Sequence, residues 1–258
     1  GSVPQARIDD AVRRILRAKF AMGLFDEQGA AEPDLTSVGS KEHRALAREA
    51  ARRSLVLLKN KKQTLPLSSD ARRIRVAGSA ADNEGRQAGG WTVEWQGIDG
   101  NWLPGATSIL TGIRAAAGGQ TVVEYDLQGN FPTNGVADVG IAVVGEKPYA
   151  EGWGDDPQPR LDDDDLAAIA NLRKKSRKLV VVLVSGRPLI ITDELPKWDA
   201  AIAAWLPGSE GAGVADALFG TSPFTGTLPL PWPRTIQQLP MMPDGRGHDG
   251  SAPLFPRD

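Results

Sequence analysis

Five short apolar runs constrain this chain most: "RIRVAGS" (73–79), "TVVEY" (121–125), "VGIAVVG" (139–145), "KLVVVLVS" (178–185) and "AAIAAWL" (200–206). Three of them are rich in valine or isoleucine, and they read as mainly continuous apolar runs. A strand without alternation is buried on both faces. Helical stretches lie between the runs, at Ser108–Ala117, Asp163–Lys175 and Glu210–Phe219. Strands alternating with helices predict an α/β fold, a mainly parallel sheet covered on both faces. In such sheets ligands sit beyond the carboxyl ends of the strands. That rule directs attention to "GSAADNEG", "GEKPYAEGWGD", "SGRP" and "LPGSEGAG", each of which follows a strand.

Ahead of this region, Ile8, Val12, Ile15, Leu16, Lys19 and Phe20 fall at helical spacing between Pro4 and Met22, and Gly23 is placed to end the helix. An amphipathic helix of this kind has to dock on another surface. The polar stretch "DEQGAAEPDLTSVGS" after it reads as a linker. A second helix is expected from Ser40 to Leu57, opened by a serine cap.

With 258 residues and 41% apolar content the chain can build a sizeable core. Thirty basic against thirty-two acidic residues leave a net charge of −2, which disfavours nucleic acid and anionic membranes as the main partner. There is no cysteine, and the two histidines, His43 and His248, make a zinc site an unattractive reading. No apolar stretch reaches the ~18 to 20 residues of a membrane span, and "GSVPQARIDD" has no export pattern. Gly1-Ser2 reads as a tag scar or a processed end. The run "DDDD" (162–165) is most simply the acidic first turn of a helix rather than a metal site.

Two loops carry the candidate chemistry. "GRQAGGWTVEWQG" (85–97) sets Trp91 and Trp95 four apart between glycines, as suits the apolar face of a sugar ring; core or hairpin packing is the plain alternative. "PYAEGWGD" (148–155) places Glu151 between Tyr149 and Trp153, which would desolvate it and raise its pKa toward that of a neutral-pH acid. Glu146 competes for that role, or else holds the loop by accepting backbone N–H bonds. Position alone does not choose between the two. "LPGSEGAG" lacks the spacing of a nucleotide fingerprint and reads as tight helix–sheet packing plus an N-cap. Ser185 lacks the frame of a nucleophile elbow.

Seven segments, "RIDDAVRRILRAKFAMGLFD", "EHRALAREAARRSLVLLKN…LPL", "VAGSAADNEGRQAGGWTVEWQG", "VVGEKPYAEGWGD", "LVSGRPLII", "AAWLPGSEGAGVADALFG" and "FTGTLPLPW", resemble in this order the later part of family 3 glycoside hydrolases, above all β-glucosidases and exo-acting β-glucan glucohydrolases. The resemblance implies a three-layer α/β/α sandwich domain over residues 38–258. It also implies a linker over 26–37, and over 1–25 the last helix of a (β/α)8 barrel that this chain does not contain. It implies a retaining mechanism with Glu151, rather than Glu146, as acid/base. Trp95 would stack on the leaving-group sugar with support from Trp91, and no metal or other cofactor takes part. The expected partners are a β-glucoside or β-glucan oligosaccharide and the barrel, in cis or as a separate chain, which would supply the nucleophile. The chain alone is expected to be inactive, and export to a periplasm or medium fits the family. No segment resembles the nucleophile's setting, and "PLFPRD" stands where the family commonly continues through a glycine-rich strand. A non-catalytic carbohydrate-binding or assembly module is the alternative.

Overall fold

The computed structural model describes residues 2–26, 35–68 and 70–257. It divides into two compact units, Gly1–Val38 and Gly39–Asp258. In the first, helix α1 spans Gln5–Ala21, as its apolar spacing predicts. Gly23 takes the left-handed conformation (φ 68°) that closes the helix, and Leu24 N–H donates to the Lys19 carbonyl at 3.1 Å. None of the α1 residues is buried; Ile15 and Phe20 are 59% and 65% exposed. Most of the expected linker, residues 27–34, lies outside the described residues, and Leu35–Ser37 form a single 3-10 turn.

In the second unit, α2 spans Lys41–Ser54, and the Ser40 hydroxyl accepts from His43 N–H. The helix stops earlier than expected. Residues Val56–Asn60 form strand β1 instead, antiparallel to a later strand with Val56 opposite Ala203. Leucine favours helices in isolation, but burial of Leu55 and Val56 and the ladder bonds along a sheet edge decide the outcome.

Strands β2 (Arg73–Ala77), β3 (Val122–Tyr125), β4 (Ala137–Gly145), β5 (Ser176–Val184) and β6 (Ala200–Trp205) complete a sheet of order β1-β6-β5-β4-β2-β3. All pairs except β1–β6 are parallel. Successive residues of the central strands serve opposite faces. Ile141, Val143, Val180, Val182 and Ile202 join one core, with Ile109 and Ile113 of α4 (Ile109–Ala116) and Val214 and Leu218 of α6 (Gly211–Leu218). Ala142, Val144, Val181 and Leu183 join the other, with Ile169 and Leu172 of α5 (Asp163–Lys174) and the buried Trp198 and Trp232. The chain is therefore the α/β sandwich that its strand pattern predicts.

The glycines of "LPGSEGAG" pack helix on helix rather than helix on sheet. A Cβ on Gly211 would lie 2.5 Å from Ile109 N, and one on Gly112 would lie 2.7 Å from Ala212 Cα. Glu210 makes no side-chain cap; its buried carboxylate pairs with Arg44 Nε at 2.8 Å. Strand β2 lies between β3 and β4, so the connections leaving β2 and β4 part at their carboxyl ends. Sheets of this order bind ligands at that divergence.

Candidate active site at the carboxyl end of the sheet

Beyond β2 the chain runs through Gly78-Ser79 and the short helix α3 (Glu84–Ala88) into the loop that carries Trp91 and Trp95. Beyond β4 it runs through Glu146 into a 3-10 turn, Glu151–Gly154. A buried carboxylate ties the two exits together. Asp165, in the first turn of α5, accepts from Ser79 N–H (2.9 Å), the Ser79 hydroxyl (2.7 Å) and Gly145 N–H (3.0 Å). Burial raises the Asp165 pKa despite these donors. The acidic run is thus a helix start, with Asp162 capping Asp165 N–H at 2.7 Å. Among the described residues no three histidine or acidic side chains are grouped to hold a metal ion.

The two loops meet directly. Ala150 N–H donates to Gln96 Oε1 at 2.8 Å, and a Cβ on Gly90 would lie 2.0 Å from the Tyr149 carbonyl oxygen. The structure thereby brings Trp91, Trp95 and Glu151 onto neighbouring loops at one end of the sheet. Trp91 and Trp95 are 68% and 49% exposed, which disposes of the core alternative. Trp91 N–H donates to the Trp95 carbonyl at 2.9 Å, and the rings stand 6.4 Å apart at 53°, so each offers its own face. Trp91, Val93 and Glu151 hold positive φ of 60°, 64° and 47°. Each of these costs on the order of 1 kcal/mol or more, and such strain clusters at functional sites.

Glu151 and Glu146 part company in their surroundings. Glu151 is exposed and Trp153 is 82% exposed, while Tyr149 turns away to Glu146. The expected desolvation of Glu151 by its own neighbours is therefore absent. Glu146 is the enclosed carboxylate, but it accepts from side chains rather than from backbone N–H groups. Its Oε1 takes Arg187 Nε (2.9 Å) and Nη2 (2.6 Å), and its Oε2 takes the hydroxyls of Tyr149 (3.1 Å) and Ser185. Arg187 Nη1 reaches the Gly154 carbonyl at 2.6 Å, and its Cζ lies 4.5 Å from the Tyr149 ring centroid. Burial, with the Glu146 carboxylate beside it, pushes the Tyr149 hydroxyl up to about 12.

Sequence reasoning passed over Arg187, Gln96 and Asp165. The only signal for Arg187 was its place in "SGRP" directly after a strand. The recess between Arg86, Gly90, Glu146, Tyr149, Ser185 and Leu206 holds about 110 Å³. That is well below the roughly 300 Å³ at which small-molecule pockets begin. These loops present a carboxylate and two aromatic faces on an open surface rather than a closed pocket.

Residues 55–258 match the glycosyl hydrolase family 3 C-terminal domain. The chain is 34% identical to a lysosomal β-glucosidase of Dictyostelium discoideum over 93% of its own length and 32% of that protein's. It thus spans about a third of this curated relative. Among solved structures it is similar to an exo-1,3/1,4-β-glucanase from a Pseudoalteromonas species (39% identity, TM-score 0.82, covering 100% of this chain and 34% of that one). It is also similar to a β-glucosidase mutant from Listeria innocua solved in complex with laminaribiose (26% identity, TM-score 0.77, covering 99% of this chain and 39% of that one).

Proposed function

The chain belongs to the glycosyl hydrolase family 3 C-terminal domain, a domain of glycoside hydrolases, and from that premise we propose that it supplies the acid/base of a retaining β-glucosidase or exo-β-glucanase. The observation that carries this reading is the exposed Glu151 carboxylate on a turn fastened to the loop of Trp91 and Trp95. The substrate is terminal β-linked glucose on a β-glucan oligosaccharide or β-glucoside. The laminaribiose complex of the Listeria innocua β-glucosidase supports that class.

Retention needs two carboxyl groups about 5 to 5.5 Å apart across the scissile bond. Glu151 is one; the other comes from a (β/α)8 barrel, in cis or as a separate chain. In the first step the barrel carboxylate bonds to the anomeric carbon, the carbon–oxygen bond breaks, and the departing oxygen takes the Glu151 proton. In the second, the Glu151 carboxylate takes a proton from water as the water oxygen attacks that carbon and frees the nucleophile. An exposed carboxyl becomes an effective acid once a covering surface removes water from it, and the barrel provides that cover. Trp95 stacks on the leaving-group sugar and Trp91 supports it.

The test is Glu151→Ala in an enzyme that joins this domain to its barrel. Laminaribiose hydrolysis is expected to fall by about 100-fold or more, an activated aryl glucoside far less, and azide to restore part of the rate. The 258-residue chain alone is expected not to hydrolyse an aryl β-glucoside. Hydrolysis by the chain alone, unaffected by Glu151→Gln, would sink the reading. The exposure of Trp91 and Trp95 also favours a second one, a non-catalytic carbohydrate-binding module. That reading expects the chain alone to bind laminari-oligosaccharides, with binding lost in Trp95→Ala and kept in Glu151→Gln.

A further inference from the structure

Within the turn that carries Glu151, Asp155 N–H donates to the Gly152 carbonyl at 3.2 Å, but its side chains do not tie it to the domain. Glu151, Gly152 and Trp153 are all exposed, and among the described residues no side chain is hydrogen-bonded to the Glu151 carboxylate. Both ends of the turn are nevertheless fixed. Gln96 Oε1 holds Ala150 N–H at 2.8 Å just before it, and Arg187 Nη1 holds the Gly154 carbonyl at 2.6 Å at its close. The remaining donors of the Arg187 fork go to Glu146 Oε1, whose partner oxygen is held by Tyr149 and Ser185. Tyr149 fills a slot that only glycines leave open. A Cβ on Gly154 would lie 2.3 Å from its ring, and one on Gly186 would lie 2.9 Å from its hydroxyl.

We infer that Arg187, anchored on Glu146, is the positioning residue for Glu151: it fixes the end of the turn and with it the place of the carboxyl against the glycosidic oxygen. The inference rests on the acid/base reading of Glu151. An arginine is required because one planar fork serves a carboxylate and a carbonyl at once, which the point charge of a lysine does not. Glu146 neutralises the guanidinium, so the clamp sets position while adding no net charge beside the acid. The two glutamates of the loop thereby divide the work, Glu146 holding and Glu151 reacting.

The experiment measures kcat/KM of Arg187→Lys, in the enzyme that carries this domain, on two substrates. Laminaribiose needs its departing oxygen protonated; dinitrophenyl glucoside does not. A displaced acid is expected to lower the laminaribiose value about 100-fold and leave the dinitrophenyl value within about threefold. Equal loss on both substrates, or loss on neither, overturns the inference. Tyr149→Phe, which keeps the ring under the guanidinium and removes one bond to Glu146, covers the case in which Arg187→Lys does not fold. It should show the same selective loss in smaller measure, and an equal loss or none again overturns the inference. Amide exchange at residues 152–155 of the 258-residue chain should quicken in Arg187→Lys while β4 and β5 stay protected; unchanged exchange there overturns it too. Glu151→Ala in the same assay separates the two ideas. If it shows no selective loss on laminaribiose, the acid/base reading falls and takes this inference with it. If it does and Arg187→Lys does not, the positioning role alone falls.

Discussion

The Asp165 carboxylate accepts two hydrogen bonds from Ser79, one from the backbone N–H at 2.9 Å and one from the hydroxyl at 2.7 Å. With its third bond, to Gly145 N–H, it joins the exits of β2 and β4 at the point where the sheet's connections diverge. Asp165→Ala leaves two backbone N–H groups without their acceptor in a buried place. Each such group costs about 1 to 3 kcal/mol, so the expected loss in urea unfolding is about 2 to 6 kcal/mol. Asp165→Asn should also destabilise, because its amide nitrogen has to face a donor.

The chain holds two tyrosines, and burial raises the pKa of both Tyr125 and Tyr149. Spectroscopic titration should therefore find no tyrosine ionising at the ordinary value of 10.0, and the later one at about 12 should vanish in Tyr149→Phe. A folded-state pKa above the unfolded value means a contribution fully present below pH 10.0 and lost as pH rises toward about 12. Unfolding curves across that window should fall more steeply for the parent chain than for Tyr149→Phe.

Gly154→Ala should unsettle the Glu151 turn without touching Glu151. The new methyl would lie 2.3 Å from the Tyr149 ring, which is boxed in by Arg187 and Gly186 and has nowhere to move. Overpacking of this kind costs about 1 to 3 kcal/mol in chemical denaturation. Gly152→Ala is the control: a Cβ there meets no atom within 4 Å, and stability should barely change.

The parts of the fold that could be read from sequence are those governed by local pattern. Five apolar runs gave five parallel strands, the Ser40 cap stood where α2 begins, and the acidic run marked the start of α5. β1 was not legible, because Leu55–Leu58 suits a helix as well as a strand and only pairing with β6 separates them. In the site, Glu151 was singled out by resemblance and the tryptophans by their glycine-flanked spacing. The clamp was invisible because Glu146, Tyr149 and Arg187 meet across the gap between β4 and β5, about forty residues apart in the chain at the widest. A desolvated Glu151 was the wrong expectation for a physical reason: two-residue spacing on a 3-10 turn does not fold aromatic neighbours over the carboxylate, and Trp153 points into the open.

Arg75 offers the sharpest test of the sheet itself. It sits within "RIRVAGS", is fully buried, and donates to Glu124 Oε2 at 2.7 Å and to the carbonyls of Thr133, Gly135 and Lys175 at 3.0, 2.9 and 3.2 Å. Its Cζ also lies 4.9 Å from the Phe131 ring centroid. One side chain thus closes the end of β3 and the helix-free connection to β4. Arg75→Met keeps the length but removes the buried cation beside Glu124, which keeps Thr133 and Arg73, and takes the Arg75 donor from three backbone carbonyls. A buried polar group left without its partner costs about 1 to 3 kcal/mol, so a loss of at least that size is expected. Adding Glu124→Gln should return part of that loss, because the two residues share one interaction. Burial pushes the Glu124 carboxyl up, but Arg75, Thr133 and Arg73 outweigh it and hold the group below its usual 4.5. A depressed carboxylate contributes stability above its unfolded pKa and loses it as pH falls. The parent's advantage over Glu124→Gln should therefore be full above pH 4.5 and shrink at lower pH, as acid-side unfolding curves of the two chains would show.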